Sequence, residues 1–260
     1  MKLGLVVPDA HIKEGQDLSR FQALGHAIYE RKPDYILLGG DFVDMQVLSA
    51  WDANNKLLLE EGHRYGHEME AANVALDMIM NPIVALQEKN RKEKKKLYNP
   101  DLWYLGGNHE DRERRYLEQH PQLVGMLDHK QHLNLSERGF EYVDYRDYIE
   151  IDGVMYTHVP MNAGNQPVSG KYSMFRAGEM LNTSIVYFHT HALGNVTYTR
   201  HMMDSPNFVL NAGCFFEHTD KYATGAPNNY WRGVLWMYHT GDNEFDYEIM
   251  RISRLRETYG

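Results

Sequence analysis

Short apolar runs recur along the chain, and each ends abruptly in polar residues. LGLVV (3–7) runs into Pro8, Asp9 and His11; YILL (35–38) into GGDFVD; LWYL (102–105) into GGNHED. VMYT (154–157) runs into His158, IVYF (185–188) into HTH, and FVL (208–210) into NAGC. Continuous apolar runs of this length suit strands covered on both faces.

Between the early runs the period changes. In 17–31, Leu18, Phe21, Leu24, Ala27 and Ile28 fall on one helical face, with Pro33 just beyond. Residues 56–97 read as a long, mostly helical segment ending in the charge run RKEKKK, and 110–119 as a helix with acidic residues in its first turn. Strand and helix alternate, which predicts an α/β sandwich with helices outside the sheet. From about 140 onward strands dominate, so the second half is expected to be more antiparallel. In open α/β sheets ligands bind beyond the carboxyl ends of strands. Six such ends carry Asp, Asn, His or a related polar group.

A chain of 260 residues can bury a sizeable core as one large domain, 1–260, with 55–98 as a helical insertion within it. The formal net charge of −9 argues against a protein that coats nucleic acid electrostatically, although a local basic groove remains compatible with it. The single cysteine, Cys214, excludes an intramolecular disulfide and a cysteine-rich zinc site, and is expected to be a small packing residue. Pro8 and Asp9 cut the first apolar run too short for a signal peptide, and no segment reads as a run of about 20 apolar residues. A cytoplasmic protein without a membrane partner is expected, in a host's cytoplasm if the chain is phage-encoded.

The candidate ligands are Asp9, His11, Asp41, Asn108, His158, His189 and His191, a carboxylate, amide and imidazole set without thiolate. Oxygen mixed with imidazole suits Mn, Fe or Zn better than Mg or Ca alone. If D-x-H and H-x-H are extended, positions i and i+2 face one cation together. Seven ligands exceed one tetrahedral ion and suffice for two ions about 3.5–4 Å apart sharing a carboxylate, an arrangement suited to phosphoester hydrolysis.

These blocks resemble the calcineurin-like metallophosphoesterases, whose pattern is D-x-H, G-D-x-x-D, G-N-H-E/D, a lone His and G-H-x-H. Here they are DAH at 9, GDFVD at 40, GNHE at 107, His158 in YTHVP and FHTH at 188, and NAGC at 211 resembles a following N-P-G-S segment. The resemblance implies a four-layer α/β/β/α sandwich with the 55–98 helical insertion outside it. It implies one divalent metal on Asp9, His11 and His191, a second on Asn108, His158 and His189, and Asp41 bridging. Manganese is the expected metal, with Fe, Zn or Ni as alternatives. His109 would act as general acid or transition-state stabiliser, oriented by Asp44, while metal-bound hydroxide attacks in line.

Two departures stand out. Phe188 replaces the family's Gly before H-x-H, tolerable if the backbone there is extended. Met45 replaces the Arg that follows G-D-x-x-D in protein phosphatases, which counts against that activity; Arg112 is a candidate replacement for binding substrate, beside Asn108. The overall style is similar to phage and bacterial proteins described as DNA-repair nuclease-like, so a phosphodiester of a nucleic acid or nucleotide is the expected substrate. Alternatives are a phosphomonoesterase acting on nucleotides or phosphoproteins, and a non-catalytic, metal-stabilised binding module.

Weaker features receive plainer readings. His63 and His67 are expected to be solvated rather than a third metal site, and RKEKKK a solvated helix end rather than a phosphate contact. Gly62 and Gly66 weaken their helix and would be rationalised by a close helix contact, including one between subunits of a homo-oligomer. The stretch 214–233 is either a substrate wall near the metals or an aromatic loop closing the sandwich.

Overall fold

The computed structural model describes residues 1–49, 64–168, 170, 172–199, 206–218, 229–241 and 244–260. Its strands are β1 Lys2–Val7, β2 Tyr35–Leu38, β3 Asp101–Leu105, β4 Phe140–Val143, β5 Ile149–Ile151, β6 Val154–Thr157, β7 Ser184–Tyr187, β8 Leu193–Tyr198, β9 Asn207–Ala212, β10 Gly233–Gly241 and β11 Glu244–Arg251. The helices are α1 Ser19–Arg31, α2 Tyr65–Lys92, α3 Asp111–Gln119, the one-turn α4 His129–His132, α5 Ser173–Leu181 and α6 Ile252–Tyr259. All six apolar runs form strands, and the two shorter predicted helices fall within two residues of their expected bounds.

One sheet has the order β11-β10-β1-β2-β3-β4 and the other β5-β6-β7-β9-β8. The alternation of side chains along each strand sorts the core into layers. Leu5 and Val7 of β1, with Ile36 and Leu38 of β2, pack beneath Phe21 and Ile28 of α1, Leu76 of α2 and Leu255 of α6. Val6, Tyr35 and Leu37 face the other way and meet Tyr156, Val186 and Leu210 of the second sheet. On the far side Ile185, Tyr187 and Val209 pack with Ala177 of α5. The result is the expected α/β/β/α order of four layers.

The second half is more antiparallel than the first, as expected: the pairings among β1 to β4 are all parallel, whereas most of those made by the later strands are antiparallel. Strands β6, β7 and β9 are mutually parallel, with β5 and β8 antiparallel at the two edges. The last two strands return to the first sheet, where β10 lies antiparallel to β1. That return is built around buried Trp236, whose ring carries the Arg31 guanidinium 3.9 Å from its centroid.

Helix α2 does not stand outside the sandwich. Met69, Ala72, Leu76, Ile79 and Ile83 recur at helical spacing and join the outer core against α1. Pro82 removes the helical bond to the Met78 carbonyl, and that carbonyl lies where a Cβ on Gly25 would stand, so the two helices approach at a glycine. By length and composition α2 could cross a membrane, contrary to the expectation that no segment could; here one face of it is core. Gly66 has open space around it among the described residues of this chain, so no close helix contact within them accounts for it. His67 is exposed and pairs with Glu14, whereas His63 and Gly62 lie outside the described residues.

Candidate metal centre

Strands β1, β2, β3, β6 and β7 point their carboxyl ends at one place between the sheets, and the loops leaving them are stitched together. The amides of Ala10 and His11 donate to the Asp41 carbonyl, that of Ile12 to Phe42, and that of Asp44 back to Ile12. Phe215 N–H donates to the Asp9 carbonyl, which ties the segment after β9 to the same corner.

Three overlapping groups of donors share this corner: Asp9, His11 and His191; Asp41, His158 and His189; and, between them, His11, Asp41 and His109. His191 Nε2 lies 3.1 Å from Asp9 Oδ2 and 3.2 Å from His11 Nε2, which in turn lies 3.8 Å from Asp41 Oδ2. His158 Nε2 lies 3.4 Å from Asp41 Oδ2 and 3.1 Å from Asn108 Oδ1. The seven expected ligands are thus brought together, with Asp41 between the groups.

The backbone geometry corrects one expectation. D-x-H and H-x-H are not extended: φ is +42° at His11, +48° at Asp41, +73° at His189 and +60° at His191. Left-handed backbone is costly for such residues and persists where surrounding structure holds it, commonly at functional sites. The side chains converge through this turning rather than through the pleat. Close approach depends on absent side chains: a Cβ on Gly107 would collide with the Asp41 carboxylate, and one on Gly39 with the ring of Phe188. Gly39 therefore makes room for Phe188, which stands where the resembled motif has glycine.

Each imidazole is oriented by its other nitrogen, as metal-ligating histidines commonly are. His158 Nδ1 donates to the Gly39 carbonyl at 2.9 Å, leaving Nε2 toward Asp41. His11 Nδ1 is 3.0 Å from Asp44 Oδ1, leaving Nε2 toward Asp41 and His191. Burial, aided by the neighbouring His109, holds His11 down to about 4; burial, aided by His158, does the same for His189. Burial would also lower His158, but the charge and hydrogen bond of Asp41 carry it up to about 10. Burial works against ionisation of Asp41, yet the imidazoles of His158 and His109 keep its carboxyl well below the usual range.

Asp9 Oδ1 is buried and has no hydrogen-bond partner among the described residues, with His158 Nδ1 no nearer than 3.9 Å. A buried carboxylate oxygen left unpaired is destabilising. An orphan oxygen among imidazole nitrogens aimed inward is the donor chemistry a divalent cation would satisfy, so the residues fit such an ion.

His109 sits beside this set. Its Nδ1 donates to the Asp44 carbonyl at 2.7 Å and lies 3.0 Å from Asp44 Oδ1, while Nε2 is 3.9 Å from Asp41 Oδ2. Burial alone would lower its pKa, but Asp41 and Asp44 together raise it. Asp44 accordingly orients both His109 and His11, and Lys13 Nζ holds its other oxygen at 3.0 Å. Arg112 reaches the Asp44 carbonyl at 2.9 Å and His109 Nε2 at 3.0 Å, so its guanidinium is already engaged beside the site.

The sequence pattern marks Glu110 only as the start of a helix. Its side chain turns back and accepts from the amides of Asp41, Phe42 and Gly107, each at 2.9 Å, from Val43 at 3.2 Å and from Tyr104 Oη at 3.0 Å. One buried carboxylate thereby locks the GDFVD loop to the GNHE loop. The available signal is its place in GNHE, directly after the turn.

Phe216 and Tyr230 resolve part of the 214–233 alternative: their rings pack edge-on to His191 at 5.0 and 4.8 Å, so they wall the centre, while 219–228 lies outside the described residues. Cys214 is buried, and burial pushes its thiol up to about 12, as befits packing. Nothing in the sequence pattern marks the corner after β4. There Tyr145 lies 6.1 Å from the His158 ring, and Arg146 has φ +83°.

No family model matches the chain, and no curated protein matches it significantly. Among solved structures, the chain is similar to Yfce, a phosphoesterase from E. coli, at 15% identity and TM-score 0.36, covering 96% of this chain and 99% of that one. It is also similar to TT1561 of Thermus thermophilus at 8% identity and TM-score 0.36, again covering 96% of this chain and 99% of that one.

Proposed function

We propose that the chain is a phosphoesterase that uses two divalent cations, manganese foremost, to hydrolyse phosphodiester bonds of nucleotides or nucleic acid. The observation that carries this reading is the position of Asp41, within 3.8 Å of His11 from one donor group and 3.4 Å of His158 from the other, with the His109–Asp44 pair beside it. Asp9, His11 and His191 would hold one ion, Asn108, His158 and His189 the other, and Asp41 both. Bound there, the ions would supply an activated water and positive charge for the phosphoryl oxygens.

The remaining work falls to the chain's own groups. Asp44 keeps the Nδ1 proton of His109 in place, so Nε2 is the nitrogen that faces the reacting phosphate. In the structure Arg112 donates to that nitrogen. When the substrate phosphate draws the guanidinium away, Nε2 becomes free to take a proton, which the raised pKa favours. It can then pass that proton to the departing alkoxide, a contribution of about 10²–10⁴ in rate.

The test compares bis(p-nitrophenyl) phosphate with p-nitrophenyl phosphate in the presence of Mn, in the wild type and in His109→Asn. Preferred turnover of the diester, and loss of most turnover with unchanged metal content in the variant, are expected. A monoester preference would overturn the substrate, full activity of the variant would overturn the role of His109, and absence of both metal and hydrolysis would favour a binding module.

A further inference from the structure

The candidate centre opens sideways into a cleft of about 800 Å³, with Asn108 and His189 at its inner end. The charge of this cleft opposes that of the whole chain. The protein carries a formal −9, yet among the described residues the cleft is lined by the guanidiniums of Arg112, Arg115 and Arg146 against a single carboxylate, Asp111. Asp111 is shared: it takes Arg114 Nε at 2.7 Å and Arg115 Nε at 3.1 Å. Arg115 also donates to the Asn108 carbonyl at 3.0 Å, which fixes its guanidinium to the same loop as a proposed ligand.

Arg146 comes from a different element, the corner after β4. It leaves β4 with φ +83°, a conformation that an arginine holds at a cost. Its guanidinium lies 5.3 Å from the centroid of the Tyr145 ring, and no carboxylate is paired with it among the described residues. A cation held over an aromatic ring is presented to solvent without being neutralised. Farther along the cleft Tyr116 and His120 offer a second aromatic face, their centroids 4.3 Å apart.

A cationic groove with interleaved aromatic rings, leading away from the reacting position, is the pattern that tracks a nucleic-acid strand. Building on the phosphodiesterase reading, we propose that this cleft is a strand-binding subsite. Arg115 and Arg146 hold the phosphate next to the scissile one, and a neighbouring base lies against the Tyr116–His120 or Tyr145 face. The substrate class that follows is a single strand of at least two linked nucleotides. A simple mononucleotide would leave the outer cleft unused.

The experiment measures binding of a fluorescein-labelled single-stranded DNA hexamer to metal-free protein by anisotropy, at several salt concentrations, with thymidine 5′-monophosphate as competitor. Wild type should bind the hexamer far better than the mononucleotide. Arg146→Ala should weaken hexamer binding about five- to tenfold and reduce the slope of log K against log salt by about 0.7, the value for one lost single-strand phosphate contact. Arg146→Glu should weaken it further. If wild type does not prefer the hexamer, or if both variants bind it with wild-type affinity and salt slope, the subsite is overturned. Hydrolysis of bis(p-nitrophenyl) phosphate by the wild type is read separately. With hydrolysis intact, such a failure would remove the subsite alone; variant-sensitive hexamer binding without hydrolysis would instead remove the catalytic reading.

Discussion

Two buried polar clusters lie between the same two sheets, and they are built on opposite terms. The first is the corner around Asp41. The second is a triad on the strands themselves, in which Tyr35 Oη lies 2.8 Å from both Tyr156 Oη and His239 Nε2. Burial drives both tyrosines to stay neutral and His239 to shed its proton. All three residues sit on strands, outside the left-handed region of φ. The corner has carboxylates and imidazoles and left-handed backbone at four of the proposed ligands; among the described residues each cluster keeps one buried atom without a hydrogen bond, a carboxylate oxygen of Asp9 here and the neutral ring nitrogen Nδ1 of His239 there. Histidine in a buried polar cluster therefore carries no functional meaning alone. Uncompensated charge held by strained backbone does, because only an added partner would offset it.

The sharpest way to break this contrast is Asp41→Asn. The amide can still accept the His109 N–H that Asp41 Oδ1 accepts at 2.8 Å, so the loop should survive. The shared negative charge is lost, however. Metal content measured by plasma emission should drop, and phosphodiester turnover should fall by well over the roughly 10–100-fold cost of losing an outer partner of a metal site. Retention of two ions per chain would remove Asp41 from its bridging place.

Glu110→Gln comes next. A glutamine amide cannot accept on both sides, so of the four amides and one hydroxyl that Glu110 satisfies, those served by one oxygen lose their acceptor. At about 1–3 kcal/mol for each buried donor left unpaired, the melting temperature should fall by several degrees. Turnover should fall as well, because the amide of Asp41 is among those donors. A stable, fully active variant would show that the two loops are held together by packing alone.

These two residues also mark what is legible without the structure. The six apolar runs and their polar ends are legible because a strand buried on both faces needs continuous hydrophobicity, and because D-x-H and GNHE have few bland explanations in combination. The turning of His11, His189 and His191 into left-handed backbone is not, since nothing in residue type marks it. Glu110 is hidden because three of its five donors lie in a loop almost seventy residues earlier. Tyr145–Arg146 escapes because β4 is only half buried and its corner carries no ligand type. The return of β10 to the first sheet is a long-range pairing that local pattern does not encode.

Glu68 offers a subtler test of the charged corner. It lies on α2 beneath the Asp44 loop, accepts from the Gln46 amide at 3.1 Å, and leaves its other oxygen buried without a hydrogen bond among the described residues. Burial first, and then the charge of Asp44, push its carboxyl up to about 8. The unfolded chain releases that proton near the ordinary value of 4.5, so the folded state binds more protons between these limits and stability must fall as pH rises through them. Chemical denaturation of the wild type should show that loss between about pH 4.5 and 8, on the order of 1–3 kcal/mol after relaxation. Glu68→Gln should flatten the profile; an unchanged slope would assign the pH dependence elsewhere.

The smallest effect belongs to the other cluster. Tyr35→Phe removes one hydroxyl from a triad in which Tyr156 Oη still lies 3.2 Å from His239 Nε2, so one pairing closes the gap the lost group leaves. The cost should be about 0.5–1.5 kcal/mol, the net worth of an ordinary hydrogen bond. Metal content and turnover should stay at wild-type values, because Tyr35 begins β2 and the proposed ligand Asp41 follows its other end. A loss of metal in Tyr35→Phe would mean that the two clusters are coupled through β2. The contrast between a structural and a functional polar core would then have to be redrawn as one network spanning the sheet interface.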